Sequence, residues 1–382
     1  MWEGKMEQKK NQKSQKKGPS KIDPLSFEDV PGLGPAKIKA LNKEGWTTTI
    51  QIICKTPTFL KEITGMDKDQ AGKAFAYMKK KLIKAKLIGK QEMSGTEALA
   101  ERRKIRRVST GCRSIDRLLD GGIECKALTE IYGENGSGKT QLAHTLCIQA
   151  QLPIDQGGLK EPGDKPSIVL FMDTENTCRP ERFISILAGK KMIPDFPDEL
   201  KQKILDDKLL TPEEQKQYDE VKKDQELKAK KWLDRIEIQK ASNAYQLFGY
   251  VQNAIQIAKE LNVLMIIVDS AVAPFRREYL ERGTTKAKFN LLNEMLHDLK
   301  LLGENYNIPI VLINQIYHKP DQDYGKDSDI PFGGNIFGHG VTYRIKFEKF
   351  TKTHKATFMK SPYQDNDEAR FIVNQAGLSD VE

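Results

Sequence analysis

The spacing of apolar residues changes character along this chain. From Ile22 to about Leu87 they recur at helical intervals. The turn Pro31-Gly32-Leu33-Gly34-Pro35 runs into Ala36-Lys37-Ile38-Lys39-Ala40-Leu41, and Ile63-Thr64-Gly65-Met66-Asp67 leads into Gln70-Ala71-Gly72-Lys73-Ala74. This pattern predicts a small all-α domain over 22–87. Residues 88–107 read as a linker with one short basic helix. Beyond it, β-rich apolar runs at 127–133, 167–173, 236–241, 263–269 and 308–315 alternate with longer helical stretches. Such alternation predicts an α/β domain over 108–382, with a parallel sheet covered on both faces. Three further runs, at 342–349, 356–361 and 369–374, are joined by short connections and predict antiparallel strands at the end. Residues 194–231 break the rhythm, with 9 basic and 11 acidic side chains. There Thr211-Pro212-Glu213-Glu214 supplies an N-cap, a proline at the first helical position and a glutamate at the third. An exposed helical insertion reaching to about Asp234 is expected.

Composition narrows the class. The chain has 382 residues, 38% of them hydrophobic and 30% charged, which suits a soluble protein of two or three domains. No run approaches the roughly 18 apolar residues of a membrane span. The start lacks the apolar stretch of a secretory signal, so a cytoplasmic location is expected. Five cysteines, Cys54, Cys112, Cys125, Cys147 and Cys178, include no C-x-x-C pair, which argues against a disulfide framework or a zinc ribbon. Charge is uneven. Residues 1–107 carry 25 Lys/Arg against 12 Asp/Glu, and the remainder 37 against 41. A basic front end on a near-neutral body suits either a polyanionic partner or a solubilising tail. Residues 1–21 have almost no apolar side chains and are expected to be disordered.

One motif carries specific chemistry. Gly133-Glu134-Asn135-Gly136-Ser137-Gly138-Lys139-Thr140 matches G-x-x-x-x-G-K-[ST] at every position, after a strand and before a helix. Its glycines let backbone N–H groups point at phosphate oxygens, and the helix N-terminus adds partial positive charge. Lys139 is expected to reach the β- and γ-phosphates of a nucleoside triphosphate, and Thr140 to hold Mg²⁺. Asp269, closing the run Leu264-Met265-Ile266-Ile267-Val268, is the expected second magnesium-site residue. Glu175 follows another strand at the same edge. From position alone it is either the group that orients attacking water or a surface carboxylate.

These residues belong to a wider likeness. GENGSGKTQ at 133–141, DTENTCRPER at 173–182, FRREYLERGT at 275–284, INQIY at 313–317 and GGNIFGHGVTYR at 333–344 together resemble the archaeal RadA recombinases and their eukaryotic relatives. STGCRSIDRLLDGGIE at 109–124 matches the segment before the phosphate loop. The resemblance covers about 24–193 and 232–382. It implies a RecA-like P-loop ATPase core, preceded by a helix-hairpin-helix domain, that forms a filament or ring of its own copies. Single-stranded DNA, homologous duplex DNA, ATP and Mg²⁺ are the implied partners. The location implied is nucleoid-associated. Carried across by motif, Gly133–Thr140 and Gln141 bind nucleotide, Glu175 is the catalytic carboxylate and Arg179 packs beside the adenine. Gln315 senses the γ-phosphate, and His339 faces the nucleotide across the filament interface. Arg276 and Arg282 belong to a first DNA loop. Gly333 and Gly334 offer backbone amides in a second loop, about 317–338, whose Asp321, Asp323, Asp327 and Asp329 offset Lys319 and Lys326. Gly32 and Gly34 resemble a helix-hairpin-helix turn that meets duplex phosphate, with Lys37 and Lys39 supplying charge.

The chain departs from the family pattern in places. The linker phenylalanine that plugs a neighbouring protomer is absent near Glu92-Met93, Lys288-Phe289 replaces an Arg-Gln pair, and the insertion at 194–231 is unusual. Three readings follow: a strand-exchange ATPase, an accessory paralogue that binds DNA and nucleotide without exchanging strands, or a P-loop enzyme with a small-molecule substrate, such as a kinase, which leaves the basic front end and the loop motifs unexplained. Lys360 stands where relatives typically carry an aspartate close to the neighbour's triphosphate. It supplies a fixed cation where the aspartate would need a bound ion. ATP turnover is therefore expected to be largely insensitive to potassium, and a strong potassium requirement in a steady-state assay would count against this role.

Overall fold

Alternation of apolar side chains along the predicted strands is what builds the two-faced core. The computed structural model describes residues 23–53, 55–85, 93–161, 163, 166–278, 285–318, 329–362 and 367–381. Nine strands lie in the order Gly377–Asp380, Glu368–Asn374, His354–Lys360, Tyr343–Lys349, Leu128–Gly133, Ile310–His318, Asn262–Asp269, Ser167–Asp173 and Ile236–Lys240. A tenth, Asp329–Pro331, folds back antiparallel on Ile310–His318. The six strands from Tyr343–Lys349 to Ile236–Lys240 are parallel, and the other three of the row are antiparallel.

Each parallel strand sends alternate residues to opposite faces. Val169, Phe171, Met265, Ile267, Val311 and Ile313 join one apolar cluster; Leu170, Met172, Ile266, Val268, Ile310 and Leu312 join the other. The first cluster is closed by the helices Lys139–Gln149 and Pro180–Gly189, and the second by Ala244–Glu260 and Thr285–Tyr306. The expected α/β core of RecA type, with helices on both faces, is the one observed. Three short elements escape the sequence pattern: the paired strands Arg107–Val108 and Ile123–Glu124, and the return strand Asp329–Pro331. Two or three residues are too few to show a period.

The chain divides into two compact units at Leu87. The smaller contains the helices Pro35–Lys43, Thr49–Ile53, Pro57–Thr64 and Lys68–Lys84 around Leu41, Leu60, Ala74 and Met78. Gly65 ends the third helix in the left-handed region, and Asp67 caps the fourth by accepting from Gln70 N at 2.8 Å. The linker helix, Gly95–Arg102, is not basic as expected. It carries Glu97 and Glu101 beside Arg102, and the basic run begins after it. A Ser94–Glu97 capping box fixes its start, and Arg102 forms a two-pronged pair with the buried Glu124. The expected tail at 1–21 lies outside the described residues. Four described cysteines, Cys112, Cys125, Cys147 and Cys178, are buried and free. No described helix is long and apolar enough to cross a membrane.

The insertion consists of the helices Asp198–Leu205 and Pro212–Leu233. Thr211 and Glu214 form the anticipated capping box, with N···O distances of 2.9 and 3.3 Å, and Asp234 is the C-cap. Phe196 stacks on Tyr218 at 4.9 Å. Only the end of the long helix reaches the core, through Ala229, Trp232 and Leu233, while Leu205, Leu209 and Leu227 stay exposed.

A long-range cap closes the core. The helix Arg113–Leu118 has no side-chain cap of its own. Asp380, in the last strand, accepts from Ser114 N at 2.7 Å and from Arg113 Nε at 2.9 Å. Partial burial raises the Asp380 pKa, but these donors outweigh it and hold the carboxyl down at about 2. Because the folded value is depressed, the stabilisation is present above the ordinary carboxylate pKa and is lost as pH falls from about 4 towards 2. Asp380→Asn should cost about 1 kcal/mol at neutral pH, once screening of a partly exposed pair is allowed for. It should also flatten the acid limb of unfolding free energy against pH, measured by denaturant titration.

Candidate functional site

Parallel register brings four strand ends to one edge. Gly133 pairs with Gln315, and Asp173 with Asp269. The phosphate loop leaves the sheet at Gly133, where φ is +154° and an added Cβ would lie 2.0 Å from the Phe347 carbonyl oxygen. Gly138, at φ +100°, is the N-cap of the helix Lys139–Gln149. No side chain fits at the first position, and only glycine adopts the second without strain. The loop therefore presents bare backbone to a cavity of about 590 Å³.

Lys139 is buried and folds back over the loop. Its ammonium donates to Gly133 O at 2.8 Å, Glu134 O at 2.6 Å and Ser137 Oγ at 3.3 Å. Burial pushes its pKa down, against the pull of Asp269, Glu175 and Glu134. Thr140 lies on the cavity wall, where its hydroxyl favours the ionised form of the Asp269 carboxylate. Burial drives Asp269 up to about 6, reinforced by Glu175 and Asp173 and opposed by Thr140 and Lys139. Asp269 Oδ2 is buried with no hydrogen-bond partner. A buried carboxylate oxygen and a hydroxyl beside a phosphate cradle are the donors that Mg²⁺ uses when substrate phosphates and water complete its shell. The residues fit that ion.

Glu175 is held by a rigid loop. Asp173 Oδ1 accepts from Glu175 N and Thr177 N at 3.2 Å each, and Oδ2 from Cys178 N at 3.0 Å. Thr174 Oγ1 donates to Ser270 O at 2.8 Å and accepts from Ser270 N at 2.9 Å, bolting this loop to the end of the Asn262–Asp269 strand. Gln315 Nε2 donates to Glu175 Oε1 at 2.5 Å. His144, on the phosphate-loop helix, completes the frame. Arg179 N donates to its Nε2 at 3.3 Å, so the proton sits on Nδ1, which donates to Thr140 O at 2.7 Å. Burial lowers the His144 pKa and keeps the ring neutral.

The geometry is that of a P-loop nucleoside-triphosphatase with a carboxylate and a glutamine at its mouth. The Rad51 family model matches residues 101–218 and 204–381. This chain belongs to the Rad51 family. It is 32% identical over 362 residues, covering 94% of this chain and 80% of the relative, to the DNA repair and recombination protein RadA of Cenarchaeum symbiosum (strain A). That span is too long to be the core alone and extends into the small helical unit.

As a Rad51-family core, the chain brings Lys139, Thr140, Gln141, Glu175, Asp269 and Gln315 to one cavity. Other expected residues lie elsewhere. Arg179 turns back on its own loop, donating to Asn176 O at 2.9 Å and Cys178 O at 3.1 Å. The arginine on the cavity wall is Arg182, which donates to Gln141 Oε1 at 2.7 Å and Asn374 O at 2.6 Å. Arg276 is exposed and lines a second cavity, of about 750 Å³, with Glu134, Glu175 and Gln315. His339 is exposed on the short helix Gly334–Gly340, whose N-cap is Gly333. Lys360 donates to Gly338 O at 2.7 Å and Val341 O at 2.6 Å, closing the far end of that helix. In the small unit, Gly32 takes φ +82° beside Met66, whereas Gly34 is extended with open space around it. Lys37 Nζ donates back to Gly32 O at 3.1 Å. Arg282, Lys319 and Lys326 lie outside the described residues.

Sequence reasoning passed over Asp173, Thr174, His144, Lys349 and His354. The last two line the first cavity from the strands Tyr343–Lys349 and His354–Lys360. Asp173 and Thr174 stood within a quoted motif, and His144 stood in Leu142-Ala143-His144 directly after the phosphate-loop motif; nothing in the sequence marked the other two. Asp173→Ala should lower unfolding free energy by about 1–3 kcal/mol by stranding three amides. The same change should strip exchange protection from the amides of Glu175, Thr177 and Cys178, read by hydrogen–deuterium exchange. Full retention of that protection would contradict the anchoring role.

Proposed function

We propose that this chain is an ATP-dependent DNA recombinase. It assembles copies of itself on single-stranded DNA, pairs that strand with homologous duplex and exchanges strands in repair. The observation that carries the reading is the Gln315–Glu175 hydrogen bond beside the phosphate loop of a Rad51-family core. The relative named for DNA repair and recombination supports the same reading.

ATP enters with its phosphates on the amides of the Gly133–Thr140 loop. Lys139 leaves the carbonyls of Gly133 and Glu134 for the β- and γ-phosphate oxygens, exchanging neutral acceptors for charged ones. Thr140 and Asp269 would hold Mg²⁺, which would supply positive charge against that building on the phosphates. Glu175 orients a water towards the γ-phosphorus and accepts its proton, while Gln315 holds the Glu175 carboxylate in place. Arg179, exposed beside the phosphate-loop helix, packs beside the adenine, and Arg182 lines the phosphate cavity. His339 and Lys360 approach a neighbour's nucleotide in the assembled state. ATP held between copies binds the assembly better than the separated chains, so it favours assembly, and hydrolysis removes that bias.

DNA contacts are assigned to Arg276 and Arg282 in the first loop, the amides around Gly333 and Gly334 in the second, and Gly32, Gly34 and Lys37 in the helical unit. The second loop is acidic enough that backbone donors, not net charge, supply its grip.

The test is joint-molecule formation between a single strand and homologous duplex with ATP and Mg²⁺. Wild type should form joint molecules. Lys139→Ala should lose ATP binding and joint molecules together, whereas Glu175→Gln should keep ATP binding and lose turnover by about a hundredfold or more. DNA binding by wild type without joint molecules would support the accessory paralogue and overturn the recombinase reading.

A further inference from the structure

A glutamate and an arginine lie where apolar residues would serve the sheet better. Glu130, in the middle of the Leu128–Gly133 strand, is fully buried. Its Oε2 accepts from Arg344 Nε at 2.5 Å, and its Oε1 from Asn314 Nδ2 at 2.6 Å. The Glu130 and Arg344 positions are direct partners in the parallel register, so backbone pairing fixes the ion pair. Replacing such a pair by apolar residues is often neutral or stabilising, so fold stability alone does not explain it.

The bonds continue in two directions. Asn314 Nδ2 also donates to Phe332 O at 2.9 Å, and Asn314 Oδ1 accepts from Gln315 N at 2.7 Å. Phe332 N in turn donates to Gln315 O at 3.0 Å, and Gln315 Nε2 reaches Glu175. The helix Gly334–Gly340 is thus held from both sides: before its start through Phe332, and at its end by Lys360, whose charge acts on both Glu130 and Arg344.

We propose that Glu130, with Arg344 and Asn314, is a positioning centre that ties the placement of Gln315 at the nucleotide mouth to segment 331–341. Glu130 touches neither nucleotide nor Glu175. It orients Asn314 by taking one amide hydrogen, which leaves the other for Phe332 and turns Oδ1 to the Gln315 amide. When γ-phosphate draws Gln315 or Glu175 to a new position, the Asn314 amide and the Phe332 backbone follow. Nucleotide state then reaches the segment that leaves the proposed second DNA loop and carries His339. The inference rests on the recombinase reading only for what the segment does, not for the transmission itself.

The experiment is hydrogen–deuterium exchange on the full chain, with and without a non-hydrolysable ATP analogue. In wild type, amides of 133–140 and of 331–341 should both gain protection, by about fivefold or more. In Glu130→Gln the gain at 133–140 should remain, while that at 331–341 should fall below about twofold. Glu130→Gln with Arg344→Met removes the stranded charge and keeps the test valid if the single variant is unstable. It should lose transmission equally. An equal response of both segments in either variant, or no response at 331–341 in wild type, overturns the proposal. Joint-molecule assays on the same wild-type preparation read the recombinase function separately, so one idea can fail while the other stands.

Discussion

Parallel register is the constraint on which the site depends. Gly133 opposite Gln315 and Asp173 opposite Asp269 are backbone pairings, set by which apolar residues face which helix layer. A slip of one residue in any of these strands would exchange the side chains packed against the two helix layers. The same slip would carry Gln315 or Asp269 away from the loop. Core packing and site geometry are therefore specified by the same alternation, and the chemistry comes from the residues at which the strands stop.

Charge inside the site is balanced without a ligand, though incompletely. Lys139 is covered by its own loop, and Asp269 keeps one buried oxygen without a partner. Burial works against both charges, lowering the lysine and raising the aspartate. A polyanion with a divalent cation would relieve both penalties at once: phosphate would stand in for the carbonyls at Lys139, and the cation would offset the charge of Asp269.

Much of the fold was legible because its signals are local. Continuous apolar runs gave the main strands, and the Thr211 capping box gave the start of the long insertion helix. The phosphate loop was legible because its chemistry needs glycines and a lysine at fixed spacing. What stayed hidden depends on residues far apart in sequence. Asp380 caps a helix that starts at Arg113, and His144 acquires its role only when Arg179 N arrives above it. The charge of the linker helix was misjudged because basic residues just beyond its end were counted with it. The place of Arg182 on the cavity wall was not legible either, because it depends on bonds to Gln141 and Asn374, both distant in sequence.

The strands Tyr343–Lys349, His354–Lys360 and Glu368–Asn374 do more than extend the sheet. They stand behind the phosphate loop: the Phe347 carbonyl occupies the place of a Gly133 side chain, and the Phe371 ring lies 3.3 Å from that of Gly138. Phe347 and Phe371 pack at 4.9 Å, and His354 stacks on Phe371 at 5.2 Å. A loop whose amides must aim at phosphate gains little from flexible glycines unless something denies them other conformations. Here that restraint is a wall made of the Phe347 backbone and the Phe371 and His354 rings. The glycines make the required backbone shape accessible, and the wall makes it the one that persists before a nucleotide arrives.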